Sequence, residues 1–167
     1  MEQEKCVVVI AMDGSDHSKS ALKTYVAEFH KPDNRVVLVF VAQYNDISHG
    51  SVALIPGDPS LVKRIVEAEE ERYKEIVIKL NKELDNLQMS GEVVRVNGEP
   101  GHAILEKAKE LNATYLVSGS RGLGTIRRTI LGSVSGYLVH HAHIPVIVCN
   151  TEHVHHHHQH GDHVHQS

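Results

Sequence analysis

Five short apolar runs alternate with segments of helical periodicity along this chain. The predicted strands cover residues 7–10, 36–41, 92–96, 114–118 and 144–149. The first run is rich in β-branched side chains and apolar on both faces, as a covered strand of a parallel sheet requires. The run 92–96 is more polar, which is typical of a strand at a sheet edge. Pro145 donates no ladder hydrogen bond and suits the first residue of an outermost strand.

The segments between these strands predict helices. Ser15 can cap the first, whose apolar positions recur at helical spacing. These positions are Ala21, Leu22, Tyr25, Val26 and Phe29. Residues 45–59 contain several helix breakers and predict a loop. Ser60 is then expected to cap a long helix that runs to about residue 88, with Gly91 as its C-cap. Two further helices are predicted at residues 101–111 and 131–141.

Strands that alternate with helices indicate one doubly wound, Rossmann-like α/β domain over residues 1–150, with a five-stranded parallel sheet and helices on both faces. Ligands of such sheets bind outside the carboxyl ends of the strands, where the strand order reverses. If the order is 3-2-1-4-5, the reversal lies between the first and fourth strands. The loops 11–15 and 119–122 are then expected to meet there.

A glycine pattern follows the fourth predicted strand. Gly119, Gly122, Gly132 and Ser133 have the spacing G-x2-G-x9-G-S. A strand, a glycine-rich turn and a helix N-terminus together hold phosphate, because backbone N–H groups converge there and the helix dipole adds partial positive charge. The pattern differs from a Walker A loop, which needs a lysine after its last glycine. It nevertheless indicates a bound nucleotide.

Composition narrows the class of partner. The chain has 167 residues, a formal charge of −4 and only 4% aromatic residues, so neither a basic patch nor a base-stacking surface for nucleic acid is expected. The first apolar run is too short for a signal peptide or a membrane span, which predicts a cytoplasmic protein without a membrane partner. Cys6 and Cys149 are expected to be buried thiols in a reducing compartment.

The last segment, residues 151–167, has a different composition. Eight of its 17 residues are histidine, and apolar side chains are scarce. Such a segment cannot bury enough surface to fold, so we expect a disordered, histidine-rich tail. Neutral imidazole binds Zn²⁺, Cu²⁺ and Ni²⁺. Weak, non-specific metal binding is therefore expected at His155, His156, His157 and His158, and no metal site is expected in the fold.

The chain resembles the universal stress protein family, in its nucleotide-binding branch. The resemblance rests on the glycine pattern, on Asp13 after the first strand, and on the run Pro145-Val146-Ile147-Val148 in the last strand. It covers about residues 5–150. It implies ATP, with Mg²⁺, held at the switch point of a 3-2-1-4-5 sheet.

The resemblance also implies roles for particular residues. Asp13 would accept hydrogen bonds from the ribose hydroxyls, and Val41 would line the adenine slot together with Ala11 and Met12. A proline is frequent in the family where this chain has Ala11, and its loss would loosen the adenine wall.

The glycine pattern would contact the other end of the nucleotide. Gly119 and Gly122 would let the backbone approach the ribose and phosphates without a Cβ between them. Arg121 lies between these glycines and belongs to the same implied set. The N–H groups at Gly132, Ser133 and Val134 would face the phosphates from the first turn of the last helix.

The predicted function is that of an ATP-binding regulatory protein of the stress response. The resemblance further implies a homodimer that pairs Val146, Ile147 and Val148 of two copies. No nucleophile, base and orienting group are visible together in the binding loops. Slow ATP hydrolysis or self-phosphorylation stays open as an enzymatic alternative, and metal buffering by the histidine-rich tail stays open as a third.

Overall fold

The computed structural model describes residues 5–43, 59–120 and 131–150. Its strands are β1 (Val7–Met12), β2 (Arg35–Ala42), β3 (Gly91–Asn97), β4 (Tyr115–Ser120) and β5 (Val146–Asn150). The helices of these residues are α1 (Asp16–Glu28), α2 (Pro59–Asn86), α3 (Pro100–Glu110) and α4 (Ser133–His141).

All five strands are parallel and lie in the order β3-β2-β1-β4-β5. In the register of the sheet, Val9 of β1 lies between Val37 of β2 and Leu116 of β4. The order reverses between β1 and β4, and the more polar β3 is an edge strand. The predicted α/β class, strand order and edge position are therefore confirmed.

Helices cover both faces of the sheet. Successive side chains of a strand point to opposite faces, so Val8 and Ile10 pack under α1 and α2, whereas Val9 packs under α3 and α4. Leu22 and Leu80 complete the first layer of the core, and Ile104 and Leu138 complete the second. Burial on both faces explains why the central strands are apolar throughout.

The C-terminus of α2 differs from the prediction. Gly91 is the first residue of β3 rather than a helix cap. The helix ends at Asn86, and Gln88 takes the left-handed conformation with φ 53°. The Gln88 and Met89 N–H groups then donate to the carbonyls of Asp85 and Leu84, both at 3.0 Å. This pair of bonds is a Schellman closure, and burial of Met89 in the same core cluster as Leu84 stabilises it without a glycine.

Two further local predictions were wrong. Pro59 is the first residue of α2 and Ser60 the second, so Ser60 does not precede the helix as a cap. Proline is tolerated in a first helical turn, where its missing N–H has no intrahelical partner. Phe29, counted among the apolar positions of the first predicted helix, lies just beyond α1 as its C-cap and is 42% exposed. The helix has ended at Glu28, so its periodicity no longer directs the Phe29 side chain to the core.

Several predictions concern residues outside the described ranges. They are the loop at residues 45–58, Arg121, Gly122, and the tail at residues 151–167 with His155, His156, His157 and His158. Within the described ranges, none of the helices is both long and apolar enough to cross a bilayer.

Candidate functional site

A cleft of about 250 Å³ opens at the carboxyl edge of the sheet, where β1 and β4 diverge. This volume approaches the range of small-molecule sites, about 300–1,000 Å³. Its lining comes from β1 and the start of α1, the end of β2, the start of α3, the end of β4 and the first turn of α4. The lining residues are Ala11, Met12, Asp13, Ser15, His17, Ser18, Val41, Gln43, Glu99, Pro100, Ile104, Ser118, Gly119, Gly132, Ser133, Val134 and Ser135.

The cleft brings together the predicted site residues that the structure describes. They are Ala11, Met12, Asp13, Val41, Gly119, Gly132, Ser133 and Val134. Apart from short runs these residues are far apart in the sequence, and the sheet order together with the packing of α4 brings them to one cleft. Their contacts with a ligand stay a prediction.

The strands extend further into the site than expected. Ala11 and Met12 belong to β1, and Gly119 belongs to β4, where it lies opposite Cys149. A methyl group at Gly119 would lie 3.0 Å from the His17 carbonyl oxygen and 3.3 Å from the Ala21 Cβ. The described neighbours therefore give Gly119 a packing role, because its missing side chain lets α1 approach β4.

Asp13 is held at the mouth of the cleft by a tight turn. Its Oδ1 accepts hydrogen bonds from the Ser15 N–H at 2.9 Å and from the Ser15 hydroxyl at 2.5 Å. Gly14, between them, has φ +78°, which an L-residue rarely adopts. Ser15 Oγ in turn accepts from the Ser18 N–H at 3.3 Å and caps α1, as predicted. An exposed carboxylate is thus fixed beside the cleft.

The first turn of α4 forms the facing wall. Gly132 is the N-cap and supplies no side-chain acceptor to the N–H groups of this turn. The first N–H groups of a helix have no partner within it and carry partial positive charge. Ser133 is exposed, and Val134 is half-buried. This wall favours an anionic group.

The end of β2 forms a mostly apolar slot with α3. Val41 and Ile104 line it together with Pro100. Glu99, at its rim, caps α3 by accepting the His102 N–H at 2.9 Å. The slot can hold a flat, weakly polar ring.

An interaction outside the cleft braces the same end of β2. The Tyr73 hydroxyl of α2 donates to the Gln43 carbonyl oxygen. The Arg95 guanidinium stacks over the Tyr73 ring, 4.9 Å from its centroid, and binds both carboxylate oxygens of Glu70 at 2.7 and 2.8 Å. These contacts link α2 and β3 to the slot.

Sequence reasoning missed part of the lining. The missed residues are His17, Ser18, Gln43, Glu99, Pro100, Ile104, Ser118 and Ser135. A capping carboxylate followed by proline signals a helix start, so Glu99 and Pro100 could have been placed at the carboxyl edge of β3. Ile104 is a buried residue of α3, but its approach to the cleft is not visible in the helical pattern.

Two tyrosines with raised pKa values, Tyr25 and Tyr115, lie at the end of the sheet opposite to the cleft. Burial raises the pKa of Tyr25 and that of Tyr115. Asn34 Nδ2 donates to the Tyr25 hydroxyl at 3.0 Å and to the Tyr115 hydroxyl at 3.4 Å. Because Asn34 precedes β2 and Tyr115 begins β4, this network lies at the amino ends of the strands and serves the fold rather than the cleft.

The fold and the cleft define a doubly wound α/β protein with a cleft at its switch point. The family model described as universal stress protein family matches residues 7–150. The chain therefore belongs to the universal stress protein family, which confirms the resemblance inferred from its motifs.

Curated relatives agree with this assignment. Stress response protein NhaX of Bacillus subtilis is 27% identical over 161 residues, a match that covers 84% of this chain and 95% of the relative. The universal stress protein in the QAH/OAS sulfhydrylase 3′ region of Thermus aquaticus is 30% identical over 145 residues, covering 84% and 96%.

Solved structures share the fold. Universal stress protein UspA from Lactobacillus plantarum matches with a TM-score of 0.68 and 18% identity, over 88% of this chain and 99% of that one. A family member from Arabidopsis thaliana, solved with AMP bound, matches with a TM-score of 0.62 and 19% identity, over 87% of this chain and 91% of that one. The universal stress protein from Archaeoglobus fulgidus, solved in complex with dAMP, matches with a TM-score of 0.59 and 22% identity, over 87% of this chain and 97% of that one.

Proposed function

We propose that the cleft binds an adenine nucleotide, ATP with Mg²⁺, and that this protein is a nucleotide-dependent regulator in the stress response. The observation that carries the proposal is the convergence of five separate segments on one cleft, with the N-terminus of α4 as its electropositive wall. The nucleotides bound by the Arabidopsis and Archaeoglobus relatives support the choice of adenine.

The shape of the cleft suggests how each part of the nucleotide is held. The adenine ring enters the slot beside Val41 and Ile104, where apolar side chains cover its faces. The ribose hydroxyls donate to the Asp13 carboxylate. The phosphates lie against the first turn of α4, whose N–H groups and partial charge suit them. Mg²⁺ arrives with the phosphates, since it commonly binds through them and one or two carboxylates.

Bound ATP would act by stabilising the conformation that contains the formed cleft. A ligand that binds only the folded state contributes about 2.7 kcal/mol when its concentration is a hundred times Kd. That gain is large beside the net stability of a domain, about 5–15 kcal/mol. If the folded protein interconverts between two conformations, the same gain shifts the equilibrium towards the one with the formed cleft.

Titration calorimetry with ATP tests the proposal, with Asp13→Asn as the informative variant. Asparagine keeps an Oδ1 acceptor for the Ser15 N–H and removes the charge and one acceptor oxygen. Hydrogen bonds to charged groups contribute about 1.5–3 kcal/mol, so ATP should bind at least about tenfold more weakly. Asp16→Asn is the matched control, because the Asp16 side chain is fully exposed outside the cleft. Its ATP affinity should equal that of the wild type.

The same titrations with 2′,3′-dideoxy-ATP isolate the ribose contact. If Asp13 accepts from the ribose, Asp13→Asn should weaken ATP strongly and the dideoxy analogue hardly at all. Equal losses for both ligands would contradict the ribose contact, and tighter binding by the variant would place Asp13 beside the phosphates. Wild-type protein that produces no heat with ATP or AMP at several temperatures would refute the proposed function.

Removal of the tail separates this function from metal buffering. The described lining of the cleft ends at Ser135, before the tail begins. Deletion of residues 151–167 should therefore leave the ATP affinity unchanged. A loss of ATP binding on deletion would favour a role of the tail in the site. Sustained phosphate release that disappears in Asp13→Asn would instead establish the enzymatic alternative.

We also propose that two copies pair through β5. This strand is at the edge of the sheet, and its apolar residues Val146, Ile147 and Val148 are only half-buried. An apolar edge strand presents backbone groups to a second strand and invites pairing. Light scattering should give twice the mass of one chain, and Val148→Lys should reduce it to that of a monomer. Ile78→Lys is the control, because Ile78 is 66% exposed on α2. A monomeric wild type at micromolar concentration would refute the pairing.

A further inference from the structure

Two serine hydroxyls meet beneath the cleft, between β4 and α4. Ser118 of β4 is 4% exposed, and Ser135, the third residue of α4, is 3% exposed. Their Oγ atoms are 2.9 Å apart. Burial of a hydroxyl is costly unless it is hydrogen-bonded, so this pair forms a fixed contact rather than a solvated one.

The hydrogen bonds have a definite direction. Ser135 Oγ also donates to the Gly119 carbonyl oxygen at 2.9 Å. A hydroxyl carries one hydrogen, so Ser135 must accept in its bond with Ser118. The chain therefore runs from the Ser118 O–H to Ser135 Oγ and from the Ser135 O–H to the Gly119 carbonyl. Bonds linked in this way strengthen one another in a buried environment.

Packing alone does not require hydroxyls at this contact. Ala21 of α1 and Ala108 of α3 also lie in helix–sheet interfaces, and both are fully buried without a polar side chain atom. Leu138, one turn beyond Ser135, is fully buried and already anchors α4 to the sheet. Apolar contact holds α4 against the sheet, and the hydrogen bonds of the serine pair additionally orient its first turn relative to β4.

The pair attaches the first turn of α4 directly to the end of β4. Gly132 gives this turn no side-chain cap, and the bond from Ser135 to Gly119 fixes its position relative to the strand, together with the packing of Val134 against the core. We propose that Ser135, oriented by Ser118, is a positioning residue that holds the N–H groups of the first turn at the place where the nucleotide phosphates bind. This inference rests on the proposed function and assigns its phosphate subsite a support in the core.

The test compares ATP with adenosine, which lacks the phosphates. Ser135→Ala should weaken ATP about fivefold, the equivalent of about one neutral hydrogen bond, and leave adenosine within about twofold. A purely structural role would weaken both ligands alike. Ser118→Ala keeps the bond from Ser135 to Gly119 and should weaken ATP by no more than about twofold. Ser90→Ala, at an exposed serine just before β3, should bind both ligands as the wild type does.

A double variant separates the effect of Ser135 on the phosphate subsite from its effect on the stability of the fold. Ser135→Ala leaves the buried Ser118 hydroxyl without its acceptor, so its melting temperature should fall. Replacing both partners by alanine removes that penalty. Ser118→Ala combined with Ser135→Ala should regain part of the melting temperature but keep the selective loss of ATP affinity.

The outcomes distinguish this inference from the proposed function. Wild-type protein that binds neither ATP nor adenosine would overturn both. Wild-type binding with unchanged ATP affinity in Ser135→Ala, or with equal losses of ATP and adenosine, would overturn the positioning role alone. Recovery of ATP affinity together with melting temperature in the double variant would also overturn it. A selective loss of ATP affinity, with adenosine affinity kept, in both Ser135→Ala and the double variant supports it.

Discussion

Gly101 lies where α3 meets α4, and it provides a sharp test of this packing. It is buried in the first turn of α3. A methyl group at this position would lie 2.4 Å from Cδ1 and 2.7 Å from Cγ of the Tyr137 ring. Carbon atoms in favourable contact are about 3.5–4.0 Å apart. Gly101→Ala therefore requires the ring or the helix to move by more than about 1 Å.

The half-buried ring has a neighbour that restrains it. It stacks on His141 with centroids 4.0 Å apart, and His141 Nδ1 lies 2.9 Å from the Tyr137 carbonyl oxygen. Overpacking costs about 1–3 kcal/mol, whereas the helix propensity of alanine returns at most about 1 kcal/mol. We expect Gly101→Ala to lower the free energy of unfolding by about 1–2 kcal/mol.

Gly136, in the interior of α4, is the matched control. Among the described residues, a methyl group there would meet only the Leu131 Cβ, at an ordinary 3.8 Å. Gly136→Ala should therefore gain helix propensity and raise the free energy of unfolding by up to about 1 kcal/mol. Replacing glycine by alanine is therefore expected to lower the free energy of unfolding at position 101 and to raise it at position 136.

Urea unfolding measures both variants, with the midpoint as readout at a constant m value. Tyr137→Leu in the same series supplies a double-mutant cycle, in which Gly101→Ala should cost less once the ring is gone. Gly101→Ala with wild-type stability, or equal destabilisation by Gly136→Ala, would refute the reasoning about this interface.

Three further predictions follow from individual residues. Ser133→Pro removes the first N–H of α4 yet should fold, because Gly132 has the extended ψ of 156° that precedes proline. It should weaken ATP about fivefold relative to Ser133→Ala in calorimetry, and equal affinities would contradict the role of the helix N-terminus. Burial raises the pKa of Tyr25 and Tyr115 above 10.0, so the folded state holds these protons more tightly. These tyrosines should leave the urea midpoint unchanged below pH 10 and lower it as the pH rises above 10. A urea midpoint that stays constant above pH 10 would contradict this expectation. Burial also raises the pKa of the Cys149 thiol, so Ellman's reagent should modify it much faster in urea than in the native protein.

The local pattern of side chains determined much of this protein. Apolar runs on both faces specified buried parallel strands, and their alternation with helices specified a doubly wound sheet. The strand order then followed from the family resemblance and placed Asp13, Val41 and Ser133 at one cleft. Such features are readable because they depend on neighbours within a few residues and on a fold that allows few topologies.

Local patterns failed at the ends of elements. Gly91 looked like a cap because glycine commonly ends helices, yet Gln88 takes the left-handed position. The burial of Met89 beside Leu84 stabilises that closure, and a helical pattern does not report burial. Gly119 was assigned to a turn, although pairing with Cys149 extends β4 through it.

Only the tertiary structure decided which side chains cooperate in the cleft. Ser118 and Ser135 are 17 positions apart, and nothing near either serine indicates that their hydroxyls meet. The approach of Gly101 to Tyr137 and the bond from Tyr73 to Gln43 likewise join different elements. The physical reason is that periodicity records which face of an element is buried, whereas the partner on that face is set by how the packed elements lie against one another.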